Sequence, residues 1–165
     1  RYAYAALSQR VDEALLGRFC KEQNFSPVSF HAYQTVNGQR LPIYHTNVMM
    51  CVATDYAVVC LDSIDDVEER EQVCHVLRQT GKEIIAISEE QMHHFAGNML
   101  QVENGKGALF LVMSQSAYDS LDEGQLQRLS KCNALLPMPI PTIETLGGGS
   151  ARCMMAEIFL KKEKH

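Results

Sequence analysis

Cys153, in the segment GGGSARCMM, is the residue whose type and setting best suit covalent chemistry. The thiolate is the nucleophilic form of cysteine. Gly147, Gly148 and Gly149 lie just before it, and three consecutive glycines let a backbone take positive φ and approach a ligand closely. Arg152 is its neighbour, a cation placed to favour the thiolate. On these residues alone two readings stay open: a nucleophile where a glycine-rich loop opens, or a buried cysteine after a flexible loop. The run is not a GxxxxGK[ST] phosphate loop, because no Lys-Ser or Lys-Thr follows.

A thiol nucleophile needs a proton partner. Of the six histidines, His45 in IYHTNVMM stands apart, just before an apolar strand and flanked by Thr46 and Asn47. His31 ends a strand and suits the surface or a site. His75 lies within a helix, His165 is terminal, and His93 and His94 are adjacent on a helix and point apart, so they make no metal pair. Cys20, Cys51, Cys60, Cys74, Cys132 and Cys153 form no CxxC pair, so a structural zinc site is not expected. Four sit in apolar patterns and read as buried free thiols of a cytoplasmic protein. No metal or organic cofactor has a motif here.

The elements that must position these residues follow from local pattern. Residues 2–7 are short, aromatic and apolar and read as a strand. Ser8 is placed to cap a helix over 11–23 with Val11, Ala14, Leu15 and Phe19 on one face. Residues 27–31 read as a strand, and Asn37-Gly38 as a turn. VMMCVA and YAVVCLD read as two strands, and the acidic stretch 63–72 as a helix start whose carboxylates suit the helix dipole. Val73, Val76 and Leu77 form that helix's buried stripe, Gly81 ends it, and EIIAIS is the returning strand.

The same order recurs. Strands over 98–102 and 108–114 flank the Asn104-Gly105 turn, helices follow around 117–121 and 125–131, and LLPMPI returns as a strand. Asn47 and Asn98 open equivalent strands, so a strand, strand, helix, strand repeat is visible. Asn98 is read as structural. Such units cannot bury their apolar faces alone and must pack side by side. The segment TIETLGGGSARCMMAEIFL reads as a glycine-rich loop running into a last strand, with Cys153 at its head.

The chain has 165 residues, 46% hydrophobic and 21% charged, which fits one ordinary domain over 1–165. The net charge of −5 argues against a nucleic-acid partner, and the basic tail of Lys161, Lys162 and Lys164 reads as a solvated terminus. No apolar run approaches the ~20 residues that cross a bilayer, so no membrane partner is expected. The start RYAYAALSQR has neither a signal-peptide pattern nor Met, and reads as entry into the middle of a longer protein.

HTNVMM together with GGGSARCMMAEIF resembles the pentein superfamily of guanidino-group modifying enzymes. These include arginine deiminases, dimethylarginine dimethylaminohydrolases and glycine amidinotransferases. The nearest branch is the bacterial amidinotransferase-like proteins described as citrulline hydrolases. The resemblance runs from LSQRVDEALL to AEIFL and joins two distant motifs in the right order. It implies an α/β fold, part of a five-bladed α/β propeller whose N-terminal half this chain lacks. It implies Cys153 as nucleophile, His45 as general acid/base, and Arg10 as the ligand of a substrate α-carboxylate. Val11 stands where the family's S-x-R-T segment has Thr. Asn47 stands where arginine deiminases carry an Asp that grips a guanidinium. An amide suits a neutral ureido group, which favours citrulline; the alternative for Asn47 is strand-entry chemistry.

The implied reaction is attack of the Cys153 thiolate on the planar carbon of an amino-acid side chain, with His45 protonating the leaving ammonia. Hydrolysis of the covalent adduct follows. An upstream acidic residue of the family has no counterpart here, so the chain alone is expected to be nearly inactive and to associate with its N-terminal half or another copy. The alternatives are an enzyme of arginine or dimethylarginine, and a non-catalytic propeller that binds a partner.

Overall fold

The computed structural model describes residues 1–157. The chain opens with β1 (Tyr2–Leu7), α1 (Glu13–Gln23) and β2 (Ser26–His31), the two strands pairing parallel with Tyr2 opposite Ser26. The hairpin of β3 (Tyr33–Val36) and β4 (Gln39–Pro42) follows. Asn37 and Gly38 turn it with φ of 50° and 75°, the left-handed pair that a tight hairpin demands.

Two units of one topology come next. The first is α2 (Thr46–Met49), β5 (Met50–Val52), β6 (Tyr56–Val59), α3 (Val67–Gln79) and β7 (Glu83–Ala86). The second is α4 (Glu89–His93), β8 (Leu100–Glu103), β9 (Leu109–Ser114), α5 (Gln115–Ser120), α6 (Glu123–Cys132) and β10 (Ala134–Met138). In each, an antiparallel pair is followed by a helical crossover to a parallel third strand, giving the orders β5-β6-β7 and β8-β9-β10. A final helix, α7 (Pro141–Gly147), leads to a 3-10 turn at Ala151–Met154.

Over the described residues the fold is therefore α/β, built of four small sheets and the helices beside them. Its core runs through both units: Tyr56, Ile64, Leu77, Ile85, Met99, Leu111 and Leu129 are fully or almost fully buried in one continuous cluster. Helices α3, α4 and α6 start on Asp66, Ser88 and Asp122, whose side chains accept hydrogen bonds from the first turn.

Several local expectations are corrected. Asp12, not Ser8, caps α1, its carboxylate accepting from the Leu15 N–H at 2.8 Å. The face expected to be buried is open, with Leu15 60% and Phe19 51% exposed, while Cys20 is buried. α1 packs against β2, which also meets α3. The start of VMMCVA is a helical turn, because the Thr46 hydroxyl accepts from the Ala6 N–H at 2.9 Å and ties this segment to β1. Residues 155–157 carry no regular structure; the rest of the expected last strand, the lysine tail and His165 lie outside the described residues.

Candidate active site

Cys153 reaches the site through α7 and the glycines after it. Gly148 caps the helix in the left-handed conformation (φ 65°). Ser150 is buried and its hydroxyl donates to the Glu144 carboxylate at 2.7 Å, bending the loop back onto α7. The Cys153 N–H donates to the Ser150 carbonyl at 3.0 Å, closing the 3-10 turn. A Cβ on Gly149 would lie 3.2 Å from the thiol sulfur, so glycine there keeps the sulfur uncrowded. Cys153 is exposed, unlike Cys20, Cys51, Cys60 and Cys74, which are buried.

Two amides face that sulfur. Asn98 Nδ2 is 3.2 Å from Sγ and Asn47 Nδ2 is 3.6 Å from it. Asn98 Nδ2 also donates to the Asn47 carbonyl at 2.9 Å. The Oδ1 atoms of both residues are buried without a hydrogen-bond partner.

His45 sits in extended conformation at the start of α2. Its ring meets Tyr44 edge-on at 5.0 Å. Arg10 lies over the Tyr44 ring at 5.1 Å and its Nη1 is 2.8 Å from His45 Nε2. A guanidinium can only donate, so Nε2 accepts and the ring proton sits on Nδ1. The Tyr44 hydroxyl donates to the Gly148 carbonyl at 3.3 Å, and the Tyr44 carbonyl accepts from the Ser8 hydroxyl at 3.2 Å. Tyr44 thus joins the Arg10 segment, the His45 segment and the glycine loop.

Arg10, His45, Asn47 and Cys153 all line one open cavity of about 820 Å³. The structure adds Tyr44 and Asn98 to the same wall. Tyr44 carried one readable signal, an aromatic ring next to His45; Asn98 carried the repeat position it shares with Asn47. Two residues do not join them. His31 pairs instead with Glu69 at 2.9 Å, and the Arg152 guanidinium donates to the Met155 carbonyl. Among the described residues, no three His, Cys, Asp or Glu side chains are grouped to hold a metal, and no helix is long and apolar enough to cross a membrane.

A family model described as N,N dimethylarginine dimethylhydrolase, eukaryotic, matches residues 1–160. No curated protein sequence matches the chain. Among solved structures, apo ArgZ, an arginine dihydrolase from the ornithine-ammonia cycle in Cyanobacteria, is similar at 15% identity with a TM-score of 0.67, over 93% of this chain and 22% of that one. The N-terminal domain of ArgZ bound covalently to a reaction intermediate gives 16% and 0.67, over 93% and 50%. AgrE in complex with ornithine and NAD+ gives 20% and 0.67, over 100% and 22%. The chain spans between about a fifth and a half of the length of these structures.

Proposed function

The chain belongs to the family described as N,N dimethylarginine dimethylhydrolase, eukaryotic, and so to the pentein superfamily; on that premise we propose that it carries the thiol half of a hydrolase acting on the guanidino group of arginine or a methylated arginine. The supporting observation is that Cys153, His45, Arg10 and Asn47, from three separate segments, line one cavity with the sulfur beside two amide donors.

In this reading the Cys153 thiolate attacks the guanidino carbon. His45, whose freed Nε2 has taken the Cys153 thiol proton, passes that proton to the departing amine as its C–N bond breaks, leaving a thiouronium on sulfur. His45 then takes a proton from water as the water oxygen bonds to that carbon. Breakage of the C–S bond returns the thiolate and releases a ureido product. Arg10 is assigned to the substrate α-carboxylate. An arriving carboxylate would draw Arg10 away from His45 Nε2 and free that nitrogen for proton transfer.

Citrulline is the second reading. It is favoured by Asn47 and by a cavity wall that, among the described residues, carries amides and no carboxylate. The family match and the arginine dihydrolase neighbours favour the guanidino substrate. Three further parts of the proposal rest on the resemblance: the repeated strand-strand-helix-strand units are blades of a five-bladed α/β propeller, this chain is one domain forming its C-terminal half, and the N-terminal half or a second copy completes the site. A cytoplasmic setting is proposed from the free thiols.

The test is a substrate panel with the full-length protein. Citrulline released from arginine or methylated arginine supports the guanidino reading, and ornithine released from citrulline supports the ureido one. Full turnover by Cys153→Ser would end the thiol mechanism in both readings, and no turnover of any of these substrates by the parent would leave a non-catalytic binding protein.

A further inference from the structure

We infer that Asn98 is a positioning residue for Cys153, its side-chain amide donating to the sulfur and stabilising the thiolate. This rests on the reading of Cys153 as nucleophile.

The orientation of the amide is forced. Asn98 Nδ2 is 2.9 Å from the Asn47 carbonyl, which can only accept, so nitrogen and not oxygen must face it. The same nitrogen is 3.2 Å from Cys153 Sγ. Its two hydrogens therefore go to the carbonyl and to the sulfur. The consequence is borne by Oδ1, which is buried and unpaired while the residue is only 2% exposed. A buried amide left half-satisfied needs an explanation, and supply of a donor to sulfur provides one. Donors bind the charged form of an acceptor about twice as strongly as the neutral form, so this contact selects thiolate over thiol.

The backbone around Asn98 is built to the same end. Phe95 has φ of 66°, an outlier for a bulky side chain. Its carbonyl accepts from the Asn98 N–H at 2.8 Å, so the outlier sets the start of the turn that presents Asn98. Gly97 lies against α2, where a Cβ would meet the Val48 carbonyl at 2.3 Å. The Asn98 carbonyl in turn accepts from the Arg152 N–H at 3.4 Å, beside Cys153. Asn98 thus holds the cysteine turn from both its side chain and its main chain.

The experiment is alkylation of the full-length protein by iodoacetamide, read at Cys153 by peptide mass spectrometry. The variants are Asn98→Asp, which keeps the shape and loses the donors, and Asn98→Ala. Near pH 7 each should slow Cys153 alkylation about tenfold or more, the scale of one hydrogen bond to a charged group. Above about pH 10, where an ordinary thiol is ionised, the difference should vanish. Buried Cys51, whose thiol burial pushes up to about 12, reports folding in the same digest by staying unmodified. Should one variant expose Cys51, the other decides. Unchanged alkylation near pH 7 with Cys51 protected overturns the inference. Turnover is scored separately: slowed alkylation with no turnover of any guanidino or ureido substrate by the parent sinks the proposed function and leaves the role of Asn98 standing.

Discussion

Gly97→Ala tests the contact between the two repeated units, and its size follows from the geometry. An added Cβ would stand 2.3 Å from the Val48 carbonyl oxygen, 2.8 Å from the Met49 carbonyl carbon and 2.9 Å from the Met49 Cα. All three are backbone atoms of the α2 segment, so no flexible side chain can yield. The φ of Gly97 is not in the left-handed region, so backbone strain adds nothing, and loss of unfolded-state freedom would even favour alanine by about 0.4–1 kcal/mol. Overpacking costs about 1–3 kcal/mol and occasionally more. With only backbone to move, the top of that range applies, and the net is a loss of about 2–3 kcal/mol. For a chain of this size that lowers Tm by about 4–12 °C. Gly17 is the matched control. It lies inside α1 with nothing within 4 Å of an added Cβ, so Gly17→Ala should gain about 0.5–1 kcal/mol. Thermal unfolding followed by far-ultraviolet circular dichroism reads both. Shifts in the same direction, or a Gly97→Ala protein melting within about a degree of its parent, would refute the reasoning.

Arg10→Ala should raise KM about tenfold or more for an amino-acid substrate, the scale of a lost charge-assisted hydrogen bond, and leave KM unchanged for a guanidine lacking the α-carboxylate; steady-state kinetics on both decide it. Glu89 supplies a pH dependence. Burial pushes its carboxyl up, but hydrogen bonds from Arg40 and the Thr35 N–H outweigh burial and hold it below its ordinary value. Its contribution is therefore complete above the ordinary glutamate range of about 4–5 and is lost as pH falls through the depressed value. Glu89→Gln should lower Tm near pH 7 and flatten the acid limb of the stability profile, both measurable by scanning calorimetry. Tyr56→Phe removes a buried hydroxyl that donates to Asn133 Oδ1 at 2.7 Å. Because Gln101 still donates to that oxygen, urea unfolding should show a loss of only about 1 kcal/mol.

What could be read from sequence was what local chemistry decides. The strand at Tyr2–Leu7, the buried stripe of α3 and the turn at Asn37-Gly38 each depend on residues a few positions apart. So does the repeat, since each unit carries its own alternation of strand and helix. The misses depend on distant partners. Thr46 is held by the Ala6 N–H, 40 residues away, and that bond makes a helical turn of an apolar run that reads as strand. The Tyr44 hydroxyl meets Gly148 across 104 residues. Asn98 reads as structural because nothing near it in sequence reveals a sulfur 55 residues further on. The orientation of α1 is likewise set by tertiary packing, which turns Cys20 inward and leaves Leu15 and Phe19 open.

The two asparagines stand where the repeat meets the candidate site. Asn47 lies just ahead of β5 and Asn98 just ahead of β8, the first strands of successive units. Where β5 packs beside β8, equivalent positions become neighbours, and the Asn98 amide donates to the Asn47 main chain across the join. That bond occupies one hydrogen of the amide and leaves the other free for whatever the third segment brings. The third segment brings Cys153, on a turn held by Ser150 and Glu144 and kept open by Gly149. The environment of the sulfur therefore follows from how closely two units stack. Gly97 permits that approach, so on the inferred role of Asn98 Gly97→Ala should slow Cys153 alkylation as well as lower Tm.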